Sequence, residues 1–462
     1  MDMPPDEFRR AGHQIVDWIA DYLAHSGDYP VLPPMQPGDL VKQLPQSAPA
    51  GGESIESIFA DFVRQIVPAI THWNHPRFFA YFAVSAPGAG VLAEMLTAAL
   101  NVNGMLWKSS PASTELEQTT LAWLREALGF PNDWFGIIYD TASISTMHAI
   151  AAAREKADPE ARTRGGDGKL VLYTSAQSHN SVEKGAITLG IGQENVRKIG
   201  VDAQFRMRPD LLEAAILADK GAGKLPFCVV ATIGTTSTTS IDPAPAIGNI
   251  VRKYGLWLHV DAAYGGAAAI VPELRSYFEG VERADSLVVN PHKWLFTPID
   301  LSVLYTKHPD ILKRAFALSA EYLKTATDGA ALNYMDYGIQ LGRRFRSLKL
   351  WFVMRYFGTE GMAAMVRDHI RWARELVKLI EAHPNFEVSA PTPFSLVCFR
   401  FCGSDEQNQK LLDDINASGK AFLSHTVLNG KLVLRLAIGN IHTTWKDVED
   451  TWNLLLELAP KA

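Results

Sequence analysis

Cysteine is scarce in this sequence. Three residues in 462, Cys228, Cys398 and Cys402, are too few for a disulfide framework. Two lie in apolar, strand-like sequence, and Cys398 and Cys402 lack the spacing of a redox pair, so buried thiols in a reducing cytoplasm are expected. An excess of positive charge is also missing. With 44 Lys and Arg against 50 Asp and Glu, the formal charge is −6, which argues against nucleic acid or an acidic membrane surface as partner. No apolar run approaches the ~20 residues that would span a bilayer. The opening Met1-Asp2-Met3-Pro4-Pro5-Asp6-Glu7 has no basic stretch followed by an apolar core, so no secretory signal is expected. Internal repeats and low-complexity tracts are absent too. At this length the chain exceeds one small core and suits a large α/β domain with smaller appendages.

Phe8, Ala11, Ile15, Trp18, Ile19 and Tyr22 recur at helical spacing, which predicts an amphipathic N-terminal helix. Residues 28–52 then bring Pro, Gly and Gln without periodicity, an irregular wrapping segment. From about Ala86 the pattern alternates between apolar strands and helical lengths. Gly136–Tyr139, Leu170–Thr174, Phe227–Ala231, Leu256–Val260 and Ser286–Val289 are continuous apolar runs, the signature of a mainly parallel sheet covered on both faces. Leu301–Tyr305 reads as a return to the same sheet. A helix around Leu348–Tyr356 precedes a small α+β domain whose strands include Ser395–Phe401 and Lys431–Ile438.

The chemistry begins at Asn290-Pro291-His292-Lys293-Trp294, where Pro291 stops the strand Ser286–Val289. Packing explains poorly a lysine delivered at the mouth of a sheet directly after a histidine. A desolvated lysine amine can form a Schiff base with an aldehyde cofactor, pyridoxal 5′-phosphate. Upstream, the run Leu256–Val260 ends in Asp261. Pyridoxal chemistry needs an anion facing the ring nitrogen, and ligands in open α/β sheets bind outside the carboxyl ends of the strands. Asp140-Thr141-Ala142-Ser143 follows a strand and opens a helix, a place for the phosphate, although Thr and Ser are also ordinary N-caps. Asp328-Gly329-Ala330-Ala331-Leu332-Asn333-Tyr334 reads as a mobile loop carrying one tyrosine. Trp73, Tyr81 and Phe82 form an aromatic cluster that suits an aromatic substrate side chain or simply core. His72 and His75 have no third ligand at metal spacing, and no metal is expected.

These motifs together resemble the group II pyridoxal-phosphate decarboxylases of the aromatic-L-amino-acid decarboxylase type. His72–Pro76 with Phe78–Phe82, Trp107 with Ser110–Glu117, Gln177–Val182, Gly234–Thr236, His259–Tyr264, Asn290–Trp294 and Gly342–Lys349 follow in family order. The resemblance implies fold type I: a large domain with a mainly parallel seven-stranded sheet, a small C-terminal α+β domain and an N-terminal helical segment. The expected division is 1–85, 86–358 and 359–462, in a homodimer with shared active sites. It further implies Lys293 as the cofactor lysine, Asp261 at the ring nitrogen and His179 stacked on the ring beside Ala263. Thr141, Ala142, Ser143, Thr235, Asn290 and His292 are implied around the cofactor. The substrate is expected among Trp73, Tyr81, Phe82, Val84 and Met105, the last from across the dimer interface. Tyr334 is implied as the donor of a proton to the substrate Cα after carbon dioxide leaves. Val84 stands where many animal members carry Thr, which leaves the choice among Trp, Tyr, Phe and Dopa open. An aminotransferase shares the Lys and Asp logic and would point to Arg435; an aldehyde-forming decarboxylase is the other alternative.

Overall fold

The computed structural model describes residues 2–318 and 331–460. By backbone contact the chain forms two compact units, one of residues 84–375 with 390–398 and the other of 1–83, 376–389 and 399–462.

The large unit is built on seven strands: β1 (Phe135–Tyr139), β2 (Leu170–Ser175), β3 (Val196–Ile199), β4 (Leu225–Thr232), β5 (Trp257–Asp261), β6 (Ser286–Val289) and β7 (Ser302–Thr306). Their order is β1-β7-β6-β5-β4-β2-β3. Pairing is parallel from β6 across to β3, whereas β7 runs antiparallel to both β6 and β1. This is the mainly parallel α/β sheet that the apolar runs imply. Every residue of β2, β5, β6 and β7 is buried, as strands covered on both faces require. The turn from Val289 to Ser302 holds only a single helical turn, Pro291–Trp294, too little for a parallel crossover, so β7 returns antiparallel. Strand β3 has no counterpart in the sequence reading. It is short, carries Arg197 and Lys198 and sits at the sheet edge, where charge discourages further pairing and erases the apolar signal.

Polar residues gather where the parallel strands end. Ser175, Thr232 and Asp261 close β2, β4 and β5, and Asn290 follows β6. Backbone pairing sets Thr232 opposite Asp261 and Asp261 opposite Val288. The carboxyl edge is also the one outside which open α/β sheets bind ligands.

The stretch from Ser347 to Glu381 is two helices that meet at Gly358, whose φ of +66° is not helical, so the first ends close to the expected Tyr356. A glycine takes that left-handed conformation without strain. In the small unit, β8 (Phe386–Val388), β9 (Leu396–Phe401, whose first three residues count with the large unit), β10 (Ser424–Leu428) and β11 (Lys431–Ala437) form a sheet in the order β10-β11-β9-β8. The N-terminal helix spans Pro5–Ala24 and buries Ala11. Trp18 packs edge-on against Phe59 and Phe62, and the Tyr22 hydroxyl bonds to His72 Nδ1 at 3.0 Å. Phe8 remains 67 % exposed.

Candidate active site

Lys293 is presented by a rigid turn. Its backbone N–H donates to Asn290 O at 2.9 Å, and Asn290 N donates to Ala263 O at 3.1 Å. The turn is thereby tied to the chain leaving β5. The next residue anchors it from behind: the Trp294 ring stacks on Tyr264 with centroids 4.8 Å apart, and its indole N–H donates to His369 Nδ1 at 2.9 Å. With Trp294 fully buried, the lysine that precedes it is held in one direction. Burial pulls the Lys293 amine below its usual range, and Asp261 opposes that pull. A lysine so placed carries a larger neutral, nucleophilic fraction.

Asp261 ends β5 at 5 % exposure, and its Oδ1 accepts from Ala263 N at 3.0 Å. The bond aims the carboxylate outward from the strand end and leaves its other oxygen available. His179 follows β2. Its Nδ1 accepts from Ser181 N at 3.2 Å and pairs with Ser181 Oγ at 2.8 Å, which fixes the ring plane while the side chain stays open to solvent. Burial lowers the His179 pKa, Asp261 raises it and Lys293 lowers it further. These mutual charge effects place Lys293, Asp261 and His179 in one cluster, drawn from three parallel strands.

His292 is buried and held neutral, its pKa pulled down to about 3 chiefly by burial. Its Nδ1 accepts from Leu301 N at 2.8 Å, which puts the ring proton on Nε2. That nitrogen faces the Asn290 amide at 3.3 Å, while Asn290 Oδ1 is buried without a partner. Two donors facing each other make no bond, so the amide belongs the other way round. Its oxygen then accepts from His292, and Asn290 Nδ2 is left as a buried donor that lacks an acceptor. A buried donor without a partner costs about 1–3 kcal/mol, and an anionic ligand removes that cost.

Thr141 is the N-cap of the helix Ala142–Ala157 and makes no side-chain capping bond. The first-turn amides, the positive end of the helix dipole, are thus open to an anion beside Ala142 and Ser143. Thr235 lies deeper. Gly234 takes φ +86°, and a Cβ there would lie 3.0 Å from the Gly265 backbone, so only glycine allows this turn. Thr235 Oγ1 accepts from Ser240 N at 3.0 Å and pairs with Thr238 Oγ1 at 3.1 Å, fully buried. Among the described residues no group of three or more His, Cys, Asp or Glu could hold a metal ion.

The expected substrate residues fall in both units. In the small unit Trp73 stacks on Phe78 and Tyr81 with centroids 4.2 and 6.1 Å apart, and Tyr81 is 54 % exposed. Phe82 is buried beneath the guanidinium of Arg435, 5.7 Å from its ring centroid. Arg435 also donates to Ser424 Oγ at 2.6 Å. Val84 and Met105 belong to the large unit and are partly buried.

Tyr334 departs from the open-loop expectation. Asp328, Gly329 and Ala330 lie outside the described residues, but Tyr334 itself opens a 3₁₀ turn, Tyr334–Tyr337, and is 2 % exposed. It packs into the core with Ile137, Tyr139 and Tyr337. Its pKa is pushed well up by burial. Small residues before it read as loop, whereas Tyr334 and Tyr337 together supply the apolar surface that draws the turn inward. The charges that act on Tyr334 are those of Glu117 and Arg343. Its turn is tied to the Met105 segment: Asn333 Oδ1 accepts from Trp107 N at 3.1 Å, and Met335 N donates to Met105 O at 3.2 Å. Beside it Arg343 and Glu117 form a buried ion pair. Both stand in motifs legible in the sequence, yet nothing there pairs two residues so far apart.

Residues 37–402 match the family model described as the pyridoxal-dependent decarboxylase conserved domain. The chain is 43 % identical to a phenylacetaldehyde synthase of Arabidopsis thaliana, covering 99 % of this chain and 96 % of that one. It is 40 % identical to tryptophan decarboxylase 2 of Oryza sativa subsp. japonica, with the same coverage. Among solved structures, Oryza sativa TDC with PLP and tryptamine superposes with a TM-score of 0.96 at 34 % identity, covering 99 % of this chain and 98 % of that one. Catharanthus roseus tryptophan decarboxylase in complex with L-tryptophan gives 0.93 at 38 % identity, covering 99 % of both.

Proposed function

The chain belongs to the pyridoxal-dependent decarboxylases, and from that premise we propose that it converts an aromatic L-amino acid, Trp, Tyr, Phe or Dopa, to the arylalkylamine and carbon dioxide. The observation that carries the reading is the convergence of Lys293, Asp261 and His179 at the carboxyl ends of β6, β5 and β2. Pyridoxal phosphate, when bound, supplies an aldehyde for the substrate amine and a ring that draws electrons from Cα. Lys293, with its lowered pKa, provides the amine that holds the aldehyde until substrate arrives. Asp261 keeps a proton on the ring nitrogen. His179 would stack on the cofactor ring, with Ala263 also in contact with the cofactor. The amides beside Thr141, Ala142 and Ser143 and the unsatisfied donor of Asn290, next to His292, would hold the phosphate, and Thr235 would add a further contact. Trp73, Tyr81, Phe82, Val84 and Met105 receive the aromatic side chain.

After the carboxylate leaves, Cα must take up a proton to give the amine; Tyr334, expected to donate it, would have to bring its hydroxyl out of the core to do so. Where that proton fails to arrive, one amino acid, one dioxygen and one water give one aldehyde, one carbon dioxide, one ammonia and one hydrogen peroxide. The likeness to a phenylacetaldehyde synthase makes this the second reading. An aminotransferase would need a carboxylate clamp; Arg435 instead bonds to Ser424 and stands over Phe82.

We place the reaction in a homodimer, in which the Met105 and Tyr334 segments serve the neighbouring site. In support, the helix Gly88–Leu100 exposes Leu92, Met95, Leu96 and Leu100 on one side. The 1–85 segment wraps the second copy, and the 86–358 and 359–462 parts form the catalytic body. The three cysteines, none of them in a disulfide, suit the cytosol; among the described residues no helix is long and apolar enough to cross a membrane. Incubating the holoenzyme with the four aromatic amino acids and identifying products tests the reading. Amine with equimolar carbon dioxide supports it; a keto acid with the carboxylate retained overturns it.

A further inference from the structure

Lys293 sits in a helical turn of four residues, Pro291–Trp294. So short a turn has little stability of its own, and its direction is set by what it packs against. Successive residues of a helical turn project about 100° apart, so a twist that moves the Trp294 side chain carries Lys293 with it. Whatever fixes Trp294 therefore governs where the amine points.

Two contacts fix it. On one side its ring lies within 8° of the Tyr264 plane, and the Tyr264 hydroxyl pairs with Ser395 Oγ at 2.5 Å. Parallel rings slide and turn past each other, so this contact sets the depth of the indole and leaves its rotation open. On the other side the indole N–H donates to His369 Nδ1 at 2.9 Å, with the ring planes within 6° and the centroids 6.4 Å apart. That bond runs in the plane of both rings and fixes the rotation. Only a neutral histidine with its proton on Nε2 can accept it. His369 is buried on the helix that follows Gly358, 75 residues beyond Trp294. It also meets the Phe296 ring edge-on, with centroids 5.8 Å apart. Phe296 is fully buried with φ at +52°, a conformation that persists only where the surroundings hold it. One histidine thus touches both the last residue of the lysine turn and the chain that leaves it.

We infer that His369 is a positioning residue for the cofactor lysine: by accepting the Trp294 indole N–H, it fixes the turn that delivers the Lys293 amine beside Asp261. The inference rests on the reading that Lys293 carries the cofactor. Packing alone would be served by a large apolar side chain at position 369. The hydrogen bond would not, because the buried indole N–H then regains an acceptor only by turning, and the lysine turn goes with it. Orphaning one buried donor shifts such a balance by about 5- to 150-fold.

The test uses the holoenzyme with His369→Leu, His369→Asn, Trp294→Phe and the double variant Trp294→Phe with His369→Leu. In His369→Asn the side-chain oxygen takes the place of Nδ1. Three quantities are measured: visible circular dichroism per bound cofactor, which reports how the cofactor is held, kcat at equal occupancy, and KM. His369→Leu is expected to change the dichroism and to lower kcat by about 5- to 150-fold with KM unchanged, and His369→Asn to restore both. Trp294→Phe breaks the same bond without orphaning a donor, so it serves where His369→Leu does not fold. It is expected to shift the dichroism too, and adding His369→Leu to it to change little further. Parental dichroism and kcat in folded His369→Leu or in Trp294→Phe overturn the inference. So does a His369→Asn protein that behaves like His369→Leu, because the volume of the ring would then be what matters. If borohydride labels a lysine other than Lys293 in the parent, the cofactor reading itself fails, whatever these variants show.

Discussion

Asp261→Asn removes one charge and almost no atoms. The Asn oxygen can still accept from Ala263 N, the bond that is 3.0 Å in the parent, so the end of β5 keeps its shape. What disappears is the anion 5 % exposed beside Lys293. If, as proposed, that anion faces the protonated ring nitrogen of the bound cofactor, neutralising one partner of the buried charge pair costs about 3–5 kcal/mol. At 1.36 kcal/mol per tenfold, a loss of that size in the transition state lowers kcat by about 10²–10⁴-fold. Cofactor binding should suffer less, because the residues proposed to hold the phosphate, Ala142 and Asn290, are untouched. The assay is carbon dioxide release under saturating substrate, normalised to bound cofactor measured by absorbance. A kcat within threefold of the parent at equal occupancy would refute the role of Asp261.

Tyr334→Phe should keep carbon dioxide release while replacing much of the amine by aryl acetaldehyde, ammonia and peroxide under air, since positioned proton transfer contributes ~10²–10⁴-fold; unchanged amine yield and rate would leave the residue without that role. Mixing Lys293→Ala chains with Tyr334→Phe chains should restore some amine formation if the sites are shared between subunits, and proven exchange without restoration would count against a shared site. Acid should destabilise the fold below pH 6.5. His148, His259 and His292 are held neutral by burial at about 3, 4 and 3. Their folded pKa values lie below the unfolded one, so their contribution is full above pH 6.5 and is lost as the pH falls through the folded values. His259, at about 4 instead of 6.5, accounts for about 3 kcal/mol of that loss. Asp242, pushed up to about 6 by burial, works the other way and regains stability on acidification. Three histidines against one carboxyl predict a melting temperature that drops between pH 6.5 and 4; a flat profile would contradict the neutral buried state.

The catalytic edge was legible because its chemistry is local in sequence. A strand that ends in Asp261 and another that ends before Asn290-Pro291-His292-Lys293 announce their direction by apolar runs, and a parallel sheet brings such ends together. The same logic recovered six of the seven strands and missed β3, whose Arg197 and Lys198 hide an edge strand behind charge. The helix from Ser347 ends close to where it was expected, because Gly358 breaks the helical backbone before a second helix runs on to Glu381. Tyr334 shows the opposite limit. Small residues ahead of it read as an open loop, but whether a tyrosine faces solvent or core depends on distant partners, here Glu117 and Arg343, which periodicity does not join. The Asn290 amide, left with one polar atom unsatisfied, is likewise visible only once His292 and Leu301 are in place.

The central claim, that Lys293 carries pyridoxal phosphate opposite Asp261, is tested most directly by reducing the holoenzyme with borohydride and mapping the labelled peptide. The account predicts one pyridoxyl group per chain on Lys293, with decarboxylation abolished in the reduced protein and no label in Lys293→Ala. Label on another lysine, the buried Lys349 for example, with Lys293→Ala retaining activity, would contradict it.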